Sequence, residues 1–405
     1  MPLPYGPGPV RRRGMALIEF MIALTIGMVL TLGMLMLMSS TSRSYKINDE
    51  FSRMQENGST ALRFLGDDIR MAGFYGLAIS TDKIEVRDTL PADGFLDYGQ
   101  DAGINFGITA ANDCGAANWS LQPNVPIIGL GPATDGTAAN AALPCIPVAN
   151  YLTGPAIVLR GAVGTMVNRD NAGQPINFTS AQLDPNTLYL QTDPFMGFFF
   201  IGSDYDNYKA ATLGRSIDRG AIVDAPIYAY QTHIYYLRPC SRPTGTADSR
   251  GNPTCQASDD GGRPIPTLAR QELQAGAGGP IVREVGLVEG VEQMTVFYGI
   301  DNLSRGGLPV GCELPVCANG PDGIADMYTA APADLTAWSR VVMVRLNLLL
   351  RASAPTPGHD DSSKSYDLGG AVAWNCVAAG APCNYKRHIF SQQIQVRNIA
   401  GRRSG

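Results

Sequence analysis

"RRRGMALIEFMIALTIGMVLTLGMLMLMSS", residues 11–40, sets one acidic side chain inside an otherwise uncharged apolar run. Between Met15 and Met38 only Glu19 can carry a charge. As a helix the run is about 36 Å long, enough to cross a hydrocarbon core of about 30 Å. A secretory signal has a shorter apolar stretch, about 7–15 residues, ending in a small-residue cleavage site. Ser39-Ser40-Thr41-Ser42 lacks that pattern. Arg11, Arg12 and Arg13 precede the run, while only Arg43 and Lys46 follow soon after it. The positive-inside bias therefore predicts residues 1–14 in the cytoplasm and the chain beyond the run exported.

Glu19 is not explained by anchoring. A carboxylate near the centre of a membrane helix costs about 2.5–3.5 kcal/mol on insertion scales. Two readings remain open. Glu19 lies early in the helix and can snorkel to the headgroups. Alternatively, a cut between Gly14 and Met15 would free an α-amino group that pairs with Glu19 of a neighbouring subunit.

Gly14, then Met15-Ala-Leu-Ile-Glu19, then an apolar run behind a short basic leader, resembles the class III signal of type IV pilins and pseudopilins. The resemblance implies that a prepilin peptidase cuts after Gly14 on the cytoplasmic side of the inner membrane and methylates the new N-terminus at Met15. It also implies that Glu19 docks the subunit into the filament. The family usually starts its mature chain with Phe, where this chain has Met15. Many major pilins have proline at the position of Met36, and its absence favours a minor subunit.

The chain has 405 residues, 45% hydrophobic and 17% charged, enough to bury a substantial core. Its formal charge is -5, and loss of the three leader arginines takes the mature chain to about -8, which argues against nucleic acid as a partner. The eight cysteines all follow residue 110, as expected in an oxidising compartment. Many pairings are open to them. The simplest is sequential: Cys114 with Cys145, Cys240 with Cys255, Cys312 with Cys317 and Cys376 with Cys383, each closing a loop rich in small residues. No C-x2-C occurs and the histidines are scattered, so the set does not read as a zinc site.

Beyond the apolar run, Ile47, Phe51, Met54, Gly58, Leu62, Leu65 and Ile69 recur at helical spacing and predict one apolar stripe. The pattern stops at Gly73 and Gly76. From Asp82 onward the chain reads as short strands between turn clusters, at 156–160, 187–191, 197–201, 227–237, 291–300, 340–351 and 386–396. Residues 100–150 and 240–265 lack periodicity and read as surface loops or insertions. The small-residue run 275–279 reads as part of a polar loop with no strand before it. The expected organisation is a leader (1–14, cleaved), a transmembrane or filament-core helix (15–38), its amphipathic continuation (39–73) and an exported β-rich head (74–405). The fold class is α+β and pilin-like, with the long N-terminal helix packed on an antiparallel β-sheet head with disulfide-stapled loops.

Three segments, "FSRMQENGSTALRFLGDDIRMAGFYG" (51–76), "LVEGVEQMTVFYGIDN" (287–302) and "WSRVVMVRLNLLLRAS" (338–353), are similar to stretches of PilW-type minor pilins. "RHIFSQQIQVRN" (387–398) extends the resemblance toward the end of the chain, whereas residues 77–286 add little. It implies a minor pilin that primes pilus assembly and sits in the tip complex, with other minor pilins, the major pilin and a large tip adhesin as partners. The alternatives are a J-like minor pseudopilin of type II secretion and a membrane-tethered binding domain, which needs no cut at Gly14. Asp301, Asp322 and Asp326 around an Asp-Gly turn offer oxygen ligands of the calcium type, although Asp-Gly is also ordinary turn chemistry. No other cofactor is expected. Catalytic motifs such as G-x-S-x-G, H-E-x-x-H or a phosphate loop are missing, so the chain does not read as an enzyme.

Overall fold

The computed structural model describes residues 17–79, 81, 84–85, 108–115, 118–133, 135–194, 197–206, 215–218, 221–276, 278–313, 317, 319–370 and 373–404. Two units are distinguished, Met1–Arg53 and Met54–Gly405. One helix, Leu17–Met71, runs through both without a proline in its sequence. Its end is set locally: Gly73 adopts φ 73°, a left-handed conformation that stops a helix at little cost for glycine. The amide of Gly73 then donates to the Arg160 carbonyl at 2.9 Å, turning the chain onto the head.

In the second unit the helix buries Met54, Gly58, Ala61, Leu65, Gly66 and Ile69. The expected stripe therefore begins at Met54, and Phe51 is 40% exposed. The buried face also includes Ala61 and Gly66, small residues outside the expected stripe, while Leu62 is only partly buried. Gly58 is there for space. A Cβ on it would lie 2.5 Å from the ring of Phe390, which packs directly on the helix backbone.

The strands are β1 (Ile84–Glu85), β2 (Ile127–Ala133), β3 (Gly154–Met166), β4 (Leu188–Thr192), β5 (Gly197–Ile201), β6 (Arg215–Asp218), β7 (Ala221–Asp224), β8 (Ile227–Arg238), β9 (Thr267–Gly276), β10 (Gly279–Glu289), β11 (Val291–Ile300), β12 (Met327–Thr329), β13 (Val341–Arg351) and β14 (Arg387–Gln395). The larger sheet has the order β1-β5-β4-β8-β3-β2, with β9 also pairing β8 and β10 pairing β9. A second sheet has the order β12-β11-β13-β14, and β6 and β7 form a hairpin. Apart from the parallel pair β1 and β5, the pairings are antiparallel. The expected helix-plus-antiparallel-sheet class holds, with the strands divided between two main sheets.

The main core gathers the helix face, Ile157 and Leu159 of β3, Tyr235 and Leu237 of β8, alternate residues of β11 and β13, and Ile394. β13 alternates, with Val342, Val344, Leu346, Leu348 and Leu350 all entering this core. Ala156, Val158, Ile234 and Tyr236 point the other way, as period-2 geometry requires, into a second core with Cys114, Leu143, Cys145 and Tyr151.

That second core corrects one expectation. The described part of 100–150 is not a surface loop but contains β2 and a short helix, Gly136–Ala142, capped by Asp135. It covers the back of the larger sheet, with Ile108 and Cys114 fully buried. Residues 100–107 lie outside the described residues. The small-residue run 275–279 is also corrected, since Ala275 and Gly276 end β9 and Gly279 opens β10, while residue 277 lies outside the described residues. The cysteines pair as Cys114–Cys145, Cys240–Cys255, Cys312–Cys317 and Cys376–Cys383.

The helix is also held by polar contacts. Asp68 Oδ2 lies 2.5 Å from His233 Nδ1, accepts from the Tyr235 hydroxyl and is 3.6 Å from Arg270 Nη1. Burial pushes the Asp68 carboxyl up, but His233, Tyr235 and Arg270 outweigh it and hold the group below its ordinary 3.8. At the helix end, Asn398 Nδ2 reaches the carbonyls of Arg70, Met71 and Ala72 at 3.3 Å each, and Arg402 Nη1 donates to the Gly73 carbonyl at 2.9 Å. A donor and a cation at a helix C-terminus satisfy its orphan carbonyls and complement its dipole.

Two outcomes are expected. Gly58→Val should lower stability by about 1–3 kcal/mol through overpacking against Phe390. The Gly58→Val/Phe390→Ala double variant should lose less than the two single losses added together, measured by urea unfolding of the full chain in detergent. Because Asp68 has a depressed folded pKa, its contribution is complete above its unfolded value and is lost as pH falls through the lower folded value. Unfolding midpoints of Asp68→Asn should therefore be lower than wild type near neutrality, and the gap should close below about pH 4.

Candidate functional site

The first unit supplies the most distinctive surface. Every large hydrophobic side chain from Leu17 to Met38 that is resolved as exposed leaves more than half its area open, from Leu24 at 52% to Leu17 at 77%. Such a face is stable only in lipid or against other apolar helices. The hydroxyls inside this stretch are already satisfied by their own helix: Thr25 donates to the Ile22 carbonyl at 2.9 Å, and Thr31 to those of Gly27 and Met28. Glu19, the ionisable side chain of this stretch, is exposed in the first helical turn. Further along the helix, Asp49 and Arg53 meet at 3.0 Å one turn apart. Gly14, Met15 and the leader cations Arg11, Arg12 and Arg13 lie outside the described residues.

The aspartates considered for calcium are placed among protein partners. Asp301 is fully buried; its Oδ2 accepts from the Gly323 amide at 2.8 Å and from Arg403 Nε at 3.0 Å. Asp326 Oδ2 accepts from the amides of Asn302 and Leu303, and Asp322 Oδ1 from that of Ile324. Arg403 thus occupies one oxygen of Asp301, whose Oδ1 is buried without a hydrogen-bond partner, and the other two carboxylates cap turns. Among the described residues these three carboxylates do not group as a metal site; the grouping that does occur is Cys240, Cys255 and Asp259. Its two sulfurs form a disulfide and are not free thiolates.

Arg403 continues from Asp301 to Glu313, which also binds Arg340. Burial acts to raise the Glu313 carboxyl, but Arg340 and Arg403 hold it below the usual range. The C-terminal helix, Arg397–Ser404, is therefore tied both to the end of the long helix and to the loop carrying Cys312. Sequence reasoning missed Asp68 and Asn398 as helix-holding residues. A signal existed for Asp68, since it follows Leu65 by three on the apolar face. None existed for Asn398, whose partners are more than 300 positions away.

The segments singled out in the sequence converge here. Residues 287–302 contain β11 and Asp301, residues 338–353 contain β13, and residues 387–398 contain β14 and end at Asn398. No curated protein and no solved structure is found to match the chain. A family model does match: PilW, described as Type IV Pilus-assembly protein W, over residues 254–398, just over a third of the chain. The matched part holds β9 to β14, and β9, β10, β11, β13 and β14 supply residues to the core that the long helix shares. The match supports a type IV pilus-related protein and points to a role in type IV pilus assembly.

Proposed function

We propose that the chain is a minor pilin that primes pilus assembly and forms part of the tip complex. The observation that carries this reading is the Leu17–Met71 helix, apolar and exposed in its first part, with Glu19 in its opening turn. In this reading the prepilin peptidase cuts between Gly14 and Met15, the apolar stretch anchors the precursor in the inner membrane, and it later packs among the helices of other minor pilins and the major pilin. The head then faces the periplasm and finally the cell exterior, where its loops recognise neighbours, including a tip adhesin. No step is a covalent reaction performed by this chain.

Glu19 gives the assembly its register. A carboxylate and an α-amine brought together in low dielectric attract strongly, whereas either alone pays a desolvation cost. The pairing rewards one axial position of neighbouring helices, while apolar contacts tolerate many.

Processing is tested with Gly14→Val, which should accumulate as uncut precursor in the inner membrane because only a very small side chain fits the peptidase there. N-terminal sequencing of the membrane fraction reads the outcome, and normal maturation of that variant would favour a tethered binding domain instead.

Docking is tested with Glu19→Ala. Removing the charge lowers the insertion cost, so membrane insertion and cleavage should persist, while the variant's amount in sheared pili should fall by at least about tenfold, equivalent to ~1.4 kcal/mol of lost pairing. Glu19→Gln should be intermediate, keeping a hydrogen bond without the charge. Wild-type amounts of Glu19→Ala in sheared pili would reject the pairing and leave snorkelling as the explanation.

A further inference from the structure

We infer that the outer edge of β14, the last strand of the four-stranded sheet, receives an extended strand from a neighbouring pilus subunit. This contact rests on the reading of the chain as a pilus subunit and adds to it the place on the head where a neighbour is held.

One side of the β14 main chain is unused. The strand runs Arg387–Gln395 and pairs β13 over nine consecutive residues without a register shift. The Val396 amide donates to the Val342 carbonyl at 2.9 Å, and the Ala352 amide donates to that of Lys386 at 2.9 Å. Even-numbered residues therefore turn their main-chain groups toward β13, and in an antiparallel ladder the alternate residues turn theirs away. The N–H and C=O groups of Arg387, Ile389, Ser391, Gln393 and Gln395 thus point off the sheet. β14 ends the strand order β12-β11-β13-β14, and among the described residues no hydrogen bond engages these outward groups.

Other sheet margins in the head are guarded. β12 and β1 are three and two residues long. β2 carries Gly129, Gly131 and Pro132, with a register shift between Leu130 and Ala133. β10 has a shift between Gly286 and Val288, and its Val282 and Glu284 amides donate to the Asn112 carbonyl and the Asn252 side chain, each at 2.9 Å. β12 pairs β11 only at Tyr298–Ile300, and beyond that β3 comes close: a Cβ on Gly154 would lie 3.2 Å from the Met294 carbonyl. Short strands, prolines, bulges and covering segments keep a sheet edge from recruiting another strand. β14 has none of them, and from His388 to Gln395 it contains no proline, glycine, lysine, arginine or acidic residue.

The two flanks of the edge set the pattern of its occupant. Phe390 packs on the helix at Gly58, and a Cβ on Gly66 would lie 3.4 Å from Gln392 Oε1, so the even-numbered side chains face the helix. Leu62, one turn after Gly58 and one before Gly66, is only partly buried there. On the opposite flank Ser391, Gln393 and Gln395 are exposed. An added strand alternates in the same way, with apolar side chains beside Phe390 and Leu62 and polar ones beside Ser391 and Gln393. The occupant is therefore an extended segment of alternating apolar and polar residues, held by main-chain bonds.

A second copy of this chain does not suit the edge. Closed dimers are symmetric, and two antiparallel β14 edges in one sheet are related by a twofold axis normal to it. That rotation reverses the part of the helix seated on the sheet, whereas subunits of one filament point the same way. The strand comes from a different subunit.

The test follows the full chain in sheared pili. Ser391→Pro removes an outward N–H that the fold does not use, a change that edge strands tolerate, so leader cleavage and the unfolding midpoint in detergent should stay close to wild type. Its amount in sheared pili should fall by about tenfold or more. Ser391→Lys charges the edge and keeps the main chain intact; it should act in the same direction, and it carries the test if the proline variant fails to fold. Benzoylphenylalanine placed at the exposed Gln395 should photo-cross-link to another pilus subunit, at an extended alternating segment mapped by mass spectrometry, and Ser391→Lys should abolish that product. The proposal is overturned if both edge variants enter pili at wild-type amounts, if no cross-link to another subunit forms, or if it maps to a helix or to a second copy of this chain. Normal entry of the edge variants beside loss of Glu19→Ala would remove this contact and leave the minor-pilin reading standing. Absence of the wild-type chain from sheared pili would overturn both.

Discussion

The head is organised by the close seating of one helix on two sheets. From Met54 to Ile69 the buried positions are mostly small or flexible: Met54, Gly58, Ala61, Leu65, Gly66 and Ile69. Small residues let backbones approach, and here the Phe390 ring of β14 rests against the helix at Gly58. The same helix face meets β3 and β8 of the larger sheet through a shared core. Removing this helix would expose apolar faces of both sheets at once, which is why its end is fastened so thoroughly. Asp68 ties it sideways to His233, Tyr235 and Arg270, while Asn398 and Arg402 close its last carbonyls.

Buried charge plays a second, different part. Arg238 with Glu284, Arg387 with Glu292 and Arg403 with Asp301 are nearly or fully removed from water. Such pairs gain little net stability over apolar replacements, but breaking one strands a charge at a cost of about 3–5 kcal/mol. Their effect is to make alternative packings expensive. Each joins segments far apart in sequence, so the loops are positioned relative to the sheets by ionic contacts that tolerate few other arrangements.

Most of the fold was legible where periodicity was strong. The helix, its end at Gly73, and the strands β3, β4, β5, β8, β11, β13 and β14 all follow from alternation or helical spacing. β9 and β10 were not found because their sequences, TLARQELQAG and GPIVREVGLVE, mix charged and apolar residues on half-buried faces. β2 was lost in a stretch rich in Gly, Pro and Ala, where burial comes from the covering layer and the Cys114–Cys145 link. For the proposed function, Gly14, Met15 and Glu19 are chain-local in the sequence and could be singled out from it.

The disulfides act on the irregular loops. Their sequence separations are 31, 15, 5 and 7 residues. In the chain-entropy view a 15-residue loop gives about 3 kcal/mol, and longer loops only modestly more. The two short loops therefore constrain less chain, and their main effect is to fix local geometry. One contains Glu313, which receives Arg403 and so holds the C-terminal helix against the end of the long helix. The other lines a cavity beside Trp374. Irregular loops with little hydrogen-bonded structure of their own keep one geometry only if their ends are held. In this head the holding is done by short covalent staples, and by arginines anchored in the sheet that also seats the helix.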